Sequence, residues 1–65
     1  TASEHNALTP REHTVLDMLA QGMLYKEIAQ REGLSISTVK AHIHSIYKKL
    51  HVGNREEALE RYRSR

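Results

Sequence analysis

Four residues that start or stop helices divide this chain. Pro10, Gly22, Gly33 and Gly53 leave stretches of 11, 10 and 19 residues between them. None of these stretches alternates apolar and polar residues long enough for a strand, whereas apolar residues recur at helical spacing. The pattern predicts an all-α fold of four helices, at about 10–21, 25–32, 36–50 and 54–63, with very short joints. A chain of 65 residues can bury only about 60% of its unfolded surface, so there is room for one compact core. It is too small for a doubly wound cofactor domain or a barrel.

The helix starts are marked chemically. Thr9-Pro10-Arg11-Glu12 is a capping box: Thr9 accepts from the N–H of Glu12, and Glu12 reaches back to the N–H of Thr9. Pro10 takes the first helical position, where a missing N–H costs nothing. Val15, Leu16 and Leu19 then share one face, with Met18 beside it. Ile28 and Ala29 are the inward pair of the second helix, Leu34 plugs the joint after Gly33, and Ser35 caps the third helix. Asn54-Arg55-Glu56-Glu57 repeats the capping-box pattern. Residues 1–7 carry no periodicity and read as a linker or frayed end, leaving 8–65 as the domain. The chain begins with Thr1, as a piece of a longer product would.

Composition excludes several classes. There is no cysteine, hence no disulfide framework and no thiolate metal site. No apolar run approaches the roughly 20 residues of a membrane span. His42 and His44 are two apart on a helix and point about 200° apart, so they cannot share a metal ion. His5 and His13 are expected in solvent, and Tyr25 and Tyr47 as half-buried rings. No phosphate loop and no spacing of nucleophile and base is present, so neither an enzyme nor a bound cofactor or small molecule is expected.

Charge is distributed unevenly. The net charge is only +2, but residues 33–55 contain no acid, while Lys40, Lys48, Lys49 and Arg55 are basic and His42, His44 and His51 can add charge. On a helical wheel, Val39, Ile43, Ile46 and Leu50 form the core stripe of the third helix. Ser37, Ala41, His44 and Lys48 lie opposite, with Lys40 at the edge, and Thr38, His42, Ser45 and Lys49 form a flank. A face that is small near its start, polar and positive suits the major groove, which is about 12 Å wide. Flanking donors would meet phosphates. The small Ala29, then Gly33, Leu34 and Val39 specify a helix-turn-helix, two helices joined steeply by a short turn.

Taken together, Leu8-Thr9-Pro10-Arg11-Glu12, Val15-Leu16, Gly22, Lys26-Glu27-Ile28-Ala29, Thr38-Val39-Lys40, His42, Lys49-Leu50 and Asn54-Arg55 resemble the LuxR/FixJ-type helix-turn-helix domain. That family supplies the C-terminal output domain of many bacterial response regulators and quorum-sensing regulators. The resemblance spans residues 8 to about 62. It implies a bacterial, cytoplasmic, nucleoid-associated regulator of transcription that binds double-stranded DNA as a homodimer, with RNA polymerase as a further partner. It implies base contacts at Lys40, Ala41 and His44, and phosphate contacts at Thr38 and Lys26, to which the flank and helix end add His42, Ser45, Lys48 and Lys49. The dimer contact would involve Ala58, Leu59 and Tyr62, one of which could instead close the core. Leu24 departs from the family where a capping side chain is usual. Glu32 replaces an apolar residue, so its carboxylate should snorkel or pair with a base, or else the packing before Gly33 is loose. The alternative is a protein-interaction module that touches polymerase, as in the promoter-reading regions of sigma factors.

Overall fold

The computed structural model describes residues 8–64; the expected linker at 1–7 lies outside them. Four helices follow one another: α1 (Pro10–Ala20), α2 (Tyr25–Glu32), α3 (Ile36–Leu50) and α4 (Arg55–Ser64). The expected helices are all present, with ends shifted by no more than one residue. Helix α3 packs against each of the other three, and α1 also meets α2 and α4. Among the described residues no helix is long and apolar enough to cross a membrane.

The core is built from one face of each helix. Val15, Leu16, Met18 and Leu19 of α1, Ile28 and Ala29 of α2, and Val39, Ile43 and Ile46 of α3 are buried. Ala58 is the only fully buried contribution of α4 among the described residues. Leu50, placed by the wheel on the core stripe, is only partly covered, as are Leu34, Tyr25 and Tyr47. His13, expected in solvent, is half-buried as well.

Three helices end in the same way. After α1, the N–H of Gly22 bonds the carbonyl of Leu19 at 3.0 Å and the N–H of Met23 bonds that of Met18 at 3.2 Å. After α2, Gly33 and Leu34 repeat the pattern on Gln30 and Ala29. This is the left-handed turn that satisfies the last carbonyls of a helix, and it favours glycine at the residue with positive φ. At the end of α3, however, that residue is His51, with φ 58. The helix ends at Leu50 as the sequence predicts, although the left-handed residue is a histidine and the next glycine, Gly53, lies two residues further on.

The starts of the helices follow the capping rules with two departures. Both halves of the box around Thr9 and Glu12 form. Ser35 accepts from the N–H of Thr38 at 3.1 Å. Leu24 contributes no side-chain acceptor, but Glu27 accepts from its N–H at 2.7 Å, so α2 keeps half a capping box. Asn54 accepts from the N–H of Glu57 at 2.9 Å, while the Glu57 carboxylate takes the N–H of Gly53 instead of that of Asn54. Of the alternatives for Glu32 the structure shows pairing with a base, with Arg11 Nη1 at 3.0 Å.

Candidate nucleic-acid interface

Helix α3 turns one face inward and leaves the other open. Ser37, Lys40, Ala41, His44 and Lys48 are all exposed. They follow from the wheel, because Val39, Ile43 and Ile46 fix which way the helix is rotated. Among the described residues Lys40, His44 and Lys48 make no ion pair, so their charge and donors face solvent. Lys48 and Lys49 occupy the last turn, where positive charge complements the negative end of the helix dipole. Ala41 keeps the middle of the face low, which lets a flat partner approach the backbone.

The expected flank divides. Thr38 is exposed, with its hydroxyl 2.9 Å from that of Ser35, and His42 is half-buried. Lys26 is exposed on the first turn of α2. Ser45 and Lys49, by contrast, are turned toward α1. Ser45 Oγ donates to Glu12 Oε2 at 2.8 Å, and Lys49 Nζ donates to Glu12 Oε1 at 2.7 Å. Both were expected on phosphates, and the structure engages both with Glu12. The wheel missed this because it records direction around one helix and not what stands opposite.

Glu12 is therefore the electrostatic centre of the domain. It is 5% exposed and also accepts from the N–H of Thr9 at 2.9 Å. Burial works to raise its pKa, but the hydrogen bonds from Lys49, Thr9 and Ser45 and the Lys49 charge prevail and hold it at about 2. The capping-box signal identified the contact with Thr9. Nothing in the sequence announced the contacts across 33 and 37 residues.

On helix α4 the structure takes the alternative left open for one of the three apolar residues. Ala58 is fully buried, so it closes the core and presents nothing to a second copy. The Tyr62 hydroxyl donates to Asp17 Oδ1 at 2.7 Å, tying the ring back to α1. Leu59 is half-buried and flanked by exposed Glu56, Glu60 and Arg63. Two arginines of α4 complete other helices: Arg55 Nη2 bonds the carbonyl of Leu19 at 3.1 Å, and Arg61 Nη1 that of Leu50 at 2.9 Å. Each carbonyl lies in the last turn of its helix, where no intrahelical donor remains.

Comparison with known proteins agrees with this architecture. The sequence pattern of the bacterial regulatory proteins, luxR family, matches residues 6–61. The nitrate/nitrite response regulator protein NarL of Escherichia coli is 43% identical over 58 residues, which cover 89% of this chain and 27% of NarL. The transcriptional regulatory protein DesR of Bacillus subtilis is 48% identical over 59 residues, 91% of this chain and 30% of DesR. UhpA of Salmonella typhimurium, also a transcriptional regulatory protein, is 45% identical over 60 residues, 92% of this chain and 31% of UhpA. The chain thus spans less than a third of the length of these relatives. No solved structure gives a significant match. Four short helices in this order, the open basic face of α3 and the match across most of the chain lead to one conclusion: the chain belongs to the luxR family of bacterial regulatory proteins.

Proposed function

We propose that this chain is the DNA-binding output portion of a larger transcription regulator, such as a response regulator, and that α3 enters the major groove. The observation that carries the reading is the open face of α3, where Lys40, Ala41, His44 and Lys48 are exposed together on a helix without a single acid. Lys40 and Ala41 lie in the N-terminal half of the helix and His44 one turn on from Lys40, where side chains reach base edges. Lys26, Thr38, His42 and Lys48 surround them as phosphate donors.

One recognition helix reads only a few base pairs, so useful specificity calls for two copies on half-sites about one helical turn apart. With Ala58 in the core and Tyr62 bonded to Asp17, the available stripe of α4 is Glu56, Leu59, Glu60 and Arg63. Two such helices related by a twofold axis and running antiparallel would bring Leu59 near its own copy. Glu56 of each would then lie beside Arg63 of the other.

A salt titration on duplex DNA tests the reading. If each monomer neutralises three or four phosphates, log affinity falls with log salt at a slope of about −3 to −4 per monomer between roughly 50 and 200 mM salt. A flat slope, or no retained duplex, overturns the DNA reading and leaves the polymerase-touching module as the alternative.

A further inference from the structure

Glu12 belongs to α1 and lies off the face assigned to DNA, yet it controls two residues of the DNA-facing helix. Both of its oxygens are used. Oε1 takes the Lys49 ammonium at 2.7 Å and the N–H of Thr9 at 2.9 Å, and Oε2 takes the Ser45 hydroxyl at 2.8 Å. Ser45 and Lys49 are one turn apart on α3. Two attachments separated by a turn fix both the rotation and the axial position of a helix, whereas one would leave it free to roll. The start of α1 is anchored in turn, because the same carboxylate completes the cap on Thr9.

The ion pair also changes the charge that α3 offers to a polyanion. Lys40, Lys48 and Lys49 are its lysines, and Lys49 is already neutralised by a carboxylate that has 6% side-chain exposure. If Lys49 moved to a phosphate, Glu12 would be left charged, buried and unpaired, a strongly unfavourable state. A lysine held in this way releases no counterion when DNA binds, and it adds nothing to sequence-independent affinity.

We propose that Glu12 is a positioning residue for DNA specificity: it withholds Lys49 from indiscriminate backbone binding and, with Ser45, sets the rotation at which α3 meets the base edges. The proposal rests on the DNA reading given above. It concerns how the binding is apportioned between specific and non-specific sites.

The test is Glu12→Gln, which keeps the side-chain length and an acceptor for Thr9 but removes the charge that holds Lys49. The probes are a random-sequence duplex and a duplex selected from a random pool by the unaltered chain. On random duplex the salt slope should steepen by about 0.9 per monomer, the value for one added phosphate contact, and low-salt affinity should rise several-fold. The ratio of selected to random affinity should fall about tenfold. Glu12→Gln/Lys49→Gln should restore the original slope while the ratio stays low. A residue that merely supports the fold would lower both affinities together and leave the slope alone, and that result overturns the proposal, as does an unchanged slope and ratio in a variant whose helical circular dichroism is intact. Should Glu12→Gln fail to fold, Ser45→Ala takes its place. It breaks one attachment and keeps the ion pair, so the ratio should fall at constant slope, and a constant ratio overturns the proposal. If the unaltered chain retains no duplex, the DNA reading itself fails, a separate and earlier outcome.

Discussion

Lys49 Nζ stands 2.7 Å from Glu12 Oε1, joining the last turn of α3 to the first turn of α1. The pair makes stability depend on pH in a definite direction. The Glu12 carboxyl sits at about 2 in the folded protein against an ordinary value of 4.5, so the unfolded chain binds its proton first as pH falls. The stabilisation is complete above pH 4.5 and is lost as pH falls toward 2. By linkage it amounts to about 3 kcal/mol at most. Glu12→Gln should therefore flatten the dependence of stability on pH in this window, and denaturant melts at pH 5 and pH 3 will show it. An undiminished slope in the variant would place the acid sensitivity elsewhere.

Specificity should reside on the open face. Lys40→Ala is expected to cost about 1–3 kcal/mol on a selected site and little on random duplex, since its ammonium can donate to guanine O6 and N7. Lys48→Ala should weaken both duplexes alike, as loss of a phosphate contact does. Parallel titrations of the two variants separate these roles, and equal losses for Lys40→Ala would reassign it to the backbone.

His51 offers a route to a more stable domain. Its left-handed backbone, φ 58, costs a residue with a Cβ roughly 1–2 kcal/mol that glycine avoids, offset in part by the greater freedom glycine loses on folding. His51→Gly should gain about 0.5–1 kcal/mol and raise the thermal midpoint by a few degrees. A lower midpoint would mean that the imidazole makes contacts worth more than the backbone relief.

The pairing of copies can be probed by exchanging charges. Glu56→Arg should reduce cooperativity on a duplex with two half-sites by about fivefold, as expected for lost and reversed exposed pairs worth up to about 1 kcal/mol. Binding to a single half-site should be unchanged. Glu56→Arg/Arg63→Glu should recover the cooperativity, because the exchanged charges again face one another across the twofold axis. If the double variant recovers nothing, the copies meet through another surface.

What could be read from the sequence was what neighbours in the chain decide. The caps at Thr9 and Ser35, the left-handed stops at Gly22 and Gly33, and the inward stripe of Val39, Ile43 and Ile46 all depend on residues within one or two turns. That stripe, in turn, fixes the open face of Lys40, Ala41, His44 and Lys48. The partners of Glu12 could not be read, because Ser45 and Lys49 are as compatible with solvent as with α1 until the helices are docked. Ala58 was ambiguous for the same reason: a methyl group suits a core and a helix contact equally. The end of α3 at Leu50 was legible from its stripe, but the left-handed turn at His51 was not, because histidine gives no local sign of one.

Ala58 is the single side chain by which α4 is wholly sunk into the rest of the molecule. Around it are half-buried Leu59 and Tyr62 and the two arginine bonds to carbonyls of α1 and α3. A segment with so few buried apolar groups opens locally at lower free energy than the three helices that share the main core. Peeling α4 away would take the Arg55 and Arg61 donors from the Leu19 and Leu50 carbonyls, leaving the last turns of α1 and α3 to their backbone caps alone. The element that would meet a second copy is thus also the first that the fold lets go. Pairing on DNA would therefore rest on the least firmly held helix of each partner.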